Sequence, residues 1–207
     1  MLTIGYPFKV QESAMIKDVL NNHGTIVFPT ETFYAIGCLA SSSAAVEKIY
    51  TLKHREKNAP LLVLVDSWKM LERYADDLTP SIRNVLKQFW PGPLTAVLKH
   101  KGNLADALNS PGETLGFRMS SSPIARKLVS IINSPLVGTS ANISAAKSIS
   151  RFENTKAVFG DKIDLYIDGG TTPGGLPSTL VDMTDSKSFR VLREGSVDFD
   201  PMSEWGP

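Results

Sequence analysis

Short uninterrupted apolar runs alternate with stretches of helical period along most of the chain. That mixture restricts the fold to a sheet with helices packed against it. Strands are predicted at Thr25–Phe28, where Pro29 stops the run, and at Leu61–Val65, a run too continuous to be half exposed. Further strands are predicted at Leu94–Leu98, Thr114–Met119, Leu136–Gly138, Ile163–Ile167, Thr179–Met183 and Phe189–Arg193. Helical spacing covers Val10–Asn22, ahead of a stop at His23-Gly24, and Ser43–Lys53. Thr79-Pro80 and Ser122-Pro123 each place a capping hydroxyl before a proline, opening helices that run to Trp90 and Ile132. Strands and helices do not alternate strictly, so the expected fold class is α/β (α+β-like): a twisted mixed sheet with flanking helices. One domain is expected over 1–207, with its core at about 8–195 and a loose tail over 198–207.

The 207 residues carry 22 Lys+Arg against 21 Asp+Glu, a net charge of +1, which excludes a strongly basic nucleic-acid arm and an acidic tail. A local basic pocket is still compatible with that balance. The single cysteine, Cys38, excludes an intramolecular disulfide and sits in an apolar context that predicts a buried thiol. One Cys and three scattered His argue against a closed zinc site. The longest aliphatic run, Leu61–Val65, is far shorter than the roughly 18 apolar residues of a membrane span. With no visible secretory signal at the N-terminus, the expected location is cytoplasmic.

No Walker A loop, no GxGxxG after a strand and no G-x-S-x-G elbow is present. What remains is a set of loops rich in hydroxyls, glycines and isolated cations, placed at element ends. They are Pro29-Thr-Glu-Thr32-Phe-Tyr34, Lys53-His-Arg55-Glu-Lys57, Trp90-Pro-Gly-Pro93-Leu-Thr95, Arg118-Met-Ser-Ser-Ser122, Gly138-Thr-Ser140-Ala-Asn142-Ile-Ser144, Asp168-Gly-Gly170 through Gly175 to Ser178-Thr179, and Arg193-Glu-Gly195. Each has a plain structural use as a cap, a dipole partner or a rigid turn. Together they place Lys53, Arg55, Arg118 and Arg193 at element ends, where open sheets bind ligands. Arg supplies planar bidentate donors and Lys a point charge, which suits phosphates and carboxylates. No nucleophile–base pair stands out, so such a site would work by positioning and by stabilising charge in a phosphoryl transition state.

At these residues the chain resembles the YrdC family from about Val10 to Gly195. The ordered set PTET-x-Y, K-x-R-x-x-x-x-P-L, WPGP-L-T, a strand-end Arg, S-A-N-x-S, D-G-G…G…ST and L-R-x-G is specific as a whole. The resemblance implies a basic cavity and an L-threonylcarbamoyladenylate synthase of the short single-domain form. Such an enzyme, a nucleotidyltransferase, joins L-threonine, bicarbonate and ATP with Mg2+ and releases pyrophosphate. A tRNA threonylcarbamoyltransferase partner then completes tRNA modification. By position, Thr32, Arg118, Ser140 and Ser178 match residues that hold threonine. Lys53, Arg55, Thr114, Asn142, Ser150 and Arg193 match residues at the ATP, with Lys53 and Arg55 as the catalytic cations. The stretch Gly169–Gly175 is expected to act as a mobile lid. The chain departs from the family pattern at Glu56, Ala35, Ser120 and Ala145, and also at Leu64, usually a histidine, and Ala59, usually an asparagine. The last two changes remove polar groups from the expected pocket. The alternatives are a non-catalytic YrdC-like protein that binds a nucleotide, tRNA or other double-stranded RNA, and a related synthase using another amino acid or carbamoyl donor.

Overall fold

The computed structural model describes residues 1–56, 61–102, 104, 106–108, 114–144 and 146–200. In chain order the elements are β1 (Leu2–Gly5), α1 (Val10–Asn21), β2 (Ile26–Pro29), β3 (Tyr34–Gly37), α2 (Ser43–Lys53) and β4 (Leu62–Leu64). They continue with α3 (Trp68–Tyr74), α4 (Pro80–Phe89), β5 (Leu94–Lys99), β6 (Thr114–Arg118), α5 (Pro123–Ile132) and β7 (Leu136–Ser140). The last are α6 (Phe152–Phe159), β8 (Leu165–Asp168), β9 (Thr179–Asp185) and β10 (Ser188–Arg193).

Among the described residues the strands form one mixed sheet in the order β1-β8-β2-β3-β7-β4-β6-β5-β9-β10. It combines parallel pairs (β1/β8, β2/β8, β4/β6, β5/β9) with antiparallel ones (β2/β3, β3/β7, β4/β7, β5/β6, β9/β10). The four residues of β2 and of β3 are all buried, as strands inside a sheet covered on both faces should be. Both expected helix starts are present. Thr79 Oγ1 accepts from the Ile82 amide at 3.4 Å, and Ser122 Oγ accepts from the Ala125 amide at 3.4 Å.

Four elements differ from the expectation. β1 lies ahead of the expected core and pairs with β8 at the sheet edge. β3 is too short, and too interrupted by Ala35 and Gly37, to announce itself. A Cβ on Gly37 would lie 2.1 Å from the Val137 carbonyl oxygen, so glycine is what lets β3 settle against β7. α3 and α6 are short and are held by packing, not by a long periodic face. The expected tail is anchored at its start, since Phe199 is buried and its ring centroid lies 5.5 Å from that of Phe89. Cys38 is fully buried, and burial pushes its thiol pKa up. Among the described residues no helix is long and apolar enough to cross a membrane.

Candidate active site

The strand ends and loops of the central sheet enclose a cavity of about 430 Å3, within the usual range for small-ligand sites. Its wall includes Thr32, Arg55, Arg118, Ser140, Ser178 and Arg193, so six residues predicted from the sequence converge on one space. They come from five separate parts of the chain. Thr32 is on the β2–β3 turn, Arg55 follows α2, Arg118 ends β6, Ser140 ends β7, and Ser178 and Arg193 flank β9 and β10.

Local chemistry explains each placement. In the β2–β3 turn, Thr30 Oγ1 donates to the Phe33 carbonyl at 2.7 Å and accepts from the Thr32 amide at 3.2 Å. That bonding folds the turn and presents Thr32. Helix α2 ends with His54 in the left-handed region (φ 48°), and this bend releases Arg55 toward the cavity. Arg193 Nη2 donates to the Ser178 carbonyl at 2.9 Å and to Ser178 Oγ at 3.2 Å, which joins β10 to the start of β9. A Cβ on Gly195 would come within 2.3 Å of the Pro177 carbonyl oxygen, so this glycine permits that closure. Burial lowers the Arg193 pKa, with further lowering by repulsion from Arg118 and Arg55, as expected for cations gathered in one space.

Glu31 is the site residue that sequence reasoning missed. Its Oε1 lies 2.6 Å from Arg118 Nη2 in a pair whose side chains are only 6% (Arg) and 12% (Glu) exposed. Arg118 Nε donates to Oε1 at 3.2 Å, the Ser120 hydroxyl donates to Oε2, and the Ser121 amide donates to Oε1 at 3.2 Å. Burial raises the Glu31 pKa, but Arg118 and Ser120 outweigh it and hold the carboxyl below its usual value. Arg118 is thereby fixed in place before any ligand arrives. The available signal was an acid in a hydroxyl-rich loop, matched by an arginine at another strand end.

Lys53 is 1% exposed and lies outside the cavity wall. Its ammonium donates to the Ser140 carbonyl at 2.5 Å, the Asn142 carbonyl at 2.6 Å and Asn142 Oδ1 at 3.3 Å. An ammonium has three donors, and these three acceptors match them. Burial, then repulsion from Arg55, pull the Lys53 pKa from 10.5 down to about 7. Asn142 also lies behind the wall, where its Oδ1 accepts from Ser140 Oγ at 2.5 Å and its Nδ2 donates to the Ala146 carbonyl at 2.5 Å. Lys53 and Asn142 thus hold the loop that presents Ser140.

Thr114 and Ser150 are not brought to the wall. Thr114 begins β6 and pairs with Lys99, while the Ser150 carbonyl accepts from the Thr172 amide at 2.8 Å. Leu64 does line the cavity, beside Leu62, so the expected polar gap there is an apolar floor. Ala59 lies outside the described residues. The glycine-rich stretch is tethered at several points. Tyr34 Oη accepts from the Gly169 amide at 3.0 Å and donates to the Gly170 carbonyl at 2.9 Å, and the Gly174 amide donates to the Thr32 carbonyl at 2.8 Å.

These features define an open-sheet α/β protein with a preformed, arginine-rich cavity suited to anionic ligands. Residues 18–195 match the Sua5–YciO–YrdC family model, described as "Telomere recombination", and the chain belongs to that family. It is 35% identical over 172 residues to the threonylcarbamoyl-AMP synthase of Pyrococcus abyssi, covering 83% of this chain and 50% of that protein. Against the threonylcarbamoyl-AMP synthase of Psychromonas ingrahamii it is 29% identical, covering 83% of this chain and 92% of the relative. Among solved structures, P. abyssi Sua5 complexed with L-threonine superposes with a TM-score of 0.87 at 30% identity, over 94% of this chain and 56% of that one. E. coli YciO superposes at 0.85 with 26% identity over 97% of both chains. The chain therefore spans about half the length of its P. abyssi relative and nearly all of the shorter ones.

Proposed function

We propose that the chain is a threonylcarbamoyl-AMP synthase, a nucleotidyltransferase that makes threonylcarbamoyl-adenylate and pyrophosphate from L-threonine, bicarbonate and ATP. The observation that carries this reading is the convergence of Arg55, Arg118 and Arg193 with Thr32, Ser140 and Ser178 on one cavity. In this scheme the neutral threonine amine displaces water from bicarbonate to give a carbamate, whose oxygen then attacks the α-phosphorus as pyrophosphate leaves. Arg118, held by Glu31, takes the threonine carboxylate, while Arg55 and Arg193 offset charge on the triphosphate. Lys53 supports the reaction from behind the wall, by fixing the Ser140–Asn142 loop and by its charge.

Among the described residues there is no cluster of three or more His, Cys, Asp or Glu that could hold a metal ion, and Glu31 is committed to Arg118 and Ser120. Mg2+ binds chiefly through phosphate oxygens and retained waters, so it fits here as a companion of ATP, neutralising the triphosphate. A separate transferase acting on tRNA would consume the adenylate. Pyrophosphate release that requires threonine, bicarbonate and ATP together tests the reading; release without threonine dependence from folded protein refutes it.

The apolar floor at Leu64 favours one second reading, a protein of this family that binds a nucleotide or structured RNA without turnover. Steeply salt-dependent tRNA binding with no pyrophosphate release would support it.

A further inference from the structure

Thr95 is fully buried in β5 and does not line the cavity, yet its Oγ1 lies 2.9 Å from Ser178 Oγ, which does. Either hydroxyl could donate across that contact, and the surroundings decide which one does. Arg193 Nη2 donates to Ser178 Oγ at 3.2 Å and, as a guanidinium nitrogen, can only donate. Among the described residues Ser178 is the one hydrogen-bond partner of the Thr95 hydroxyl. Were Ser178 to donate to Thr95, the Thr95 hydrogen would be left buried without an acceptor, which is the costly arrangement. Donation by Thr95 avoids this. Ser178 then accepts from both Thr95 and Arg193, and its own hydrogen is free for the cavity.

The orientation of Thr95 is also built in. A Cβ on Gly116 would sit 3.2 Å from Thr95 Cγ2, so the absence of a side chain at Gly116 makes room for the Thr95 methyl and turns the hydroxyl toward Ser178. We propose that Thr95 is a positioning residue that fixes Ser178 as a hydrogen-bond donor to an anionic oxygen of the substrate, either a carboxylate or a phosphoryl oxygen. This rests on the reading that the cavity holds anionic substrates.

The test compares T95V, which keeps the shape and loses the hydroxyl, with T95S, which keeps the hydroxyl and loses the methyl. Calorimetric titrations of the full chain with L-threonine and with ATP are run beside the pyrophosphate assay. T95V is expected to weaken one of the two ligands about tenfold and T95S less than twofold, since a hydrogen bond to a charged group is at stake. Loss confined to threonine assigns the carboxylate, and loss confined to ATP the phosphoryl oxygen. S178A should lose the same factor, with T95V/S178A no worse than S178A alone. T95V binding both ligands as the wild type does, T95S failing as badly as T95V, or S178A binding normally overturns the proposal. The S178A and T95S results decide the matter even if T95V does not fold. A wild type that binds both ligands but releases no pyrophosphate refutes the synthase reading alone and leaves the Thr95 comparison decisive. A wild type that binds neither refutes both.

Discussion

Replacing Lys53 with methionine removes an ammonium whose three donors are all engaged while keeping a side chain of similar length. The Ser140 carbonyl, the Asn142 carbonyl and Asn142 Oδ1 would lose their shared partner. The Ser140 carbonyl keeps the Asn142 amide and Asn142 Oδ1 keeps the Ser140 hydroxyl, so the loss falls chiefly on the Asn142 carbonyl. One buried acceptor left without a partner costs about 1–3 kcal/mol, whereas no longer burying a charge returns several kcal/mol. The net change in stability is therefore modest, on the order of a few kcal/mol. Activity is the sharper readout, because a shift of about 1 Å in a positioning loop lowers rates about a hundredfold. K53M should fall about a hundredfold in kcat/KM, with both substrates affected because one loop carries Ser140 and Asn142. Steady-state pyrophosphate release with each substrate varied, alongside thermal unfolding, measures this. A folded K53M with near-wild-type kcat/KM, or a loss confined to the KM for ATP, would refute the loop-clamp argument.

Other expectations follow from the same geometry. E31Q removes the negative partner from the buried Arg118 pair, so the KM for threonine should rise about tenfold or more while the KM for ATP stays near wild type, by the same assay. G195A places a Cβ within 2.3 Å of the Pro177 carbonyl oxygen and 2.5 Å of the Thr179 nitrogen, all backbone, and should lower Tm by about 3–10 °C in calorimetry. The Lys53 pKa of about 7 predicts that turnover falls as pH rises through about 7 and the ammonium is lost. Stability moves the other way. Between about 7 and 10.5 the unfolded chain holds more protons at this residue, so its contribution to stability rises with pH, and a pH series of wild type against K53M isolates it.

Element type was legible wherever a run was long and uniform, as at Leu94–Leu98 or the proline-started helix after Ser122. β1 and β3 were not: β1 is held by β8, far along the chain, and β3 is a short strand broken by Gly37 that is fixed by lying between β2 and β7. The cavity cations were legible as residue types at element ends, because strand ends collect ligands. Their directions were not. Arg55 and Lys53 are two residues apart, yet one faces the cavity and the other folds beneath a loop. What separates them is the left-handed turn at His54 and a set of carbonyls 87 and 89 residues away. Glu31 was hidden for the same reason, since its role exists only once β6 brings Arg118 against the β2–β3 turn.

Label transfer gives a decisive measurement. Wild-type protein is incubated with 13C-bicarbonate, L-threonine and MgATP, and the adenylate product is weighed by mass spectrometry. An arginine-lined cavity that activates a threonine carbamate predicts a threonyl-containing adenylate carrying one 13C, with pyrophosphate formed in equal amount. Pyrophosphate without the labelled adenylate, or neither product from folded protein that binds ATP and threonine, would contradict that chemistry.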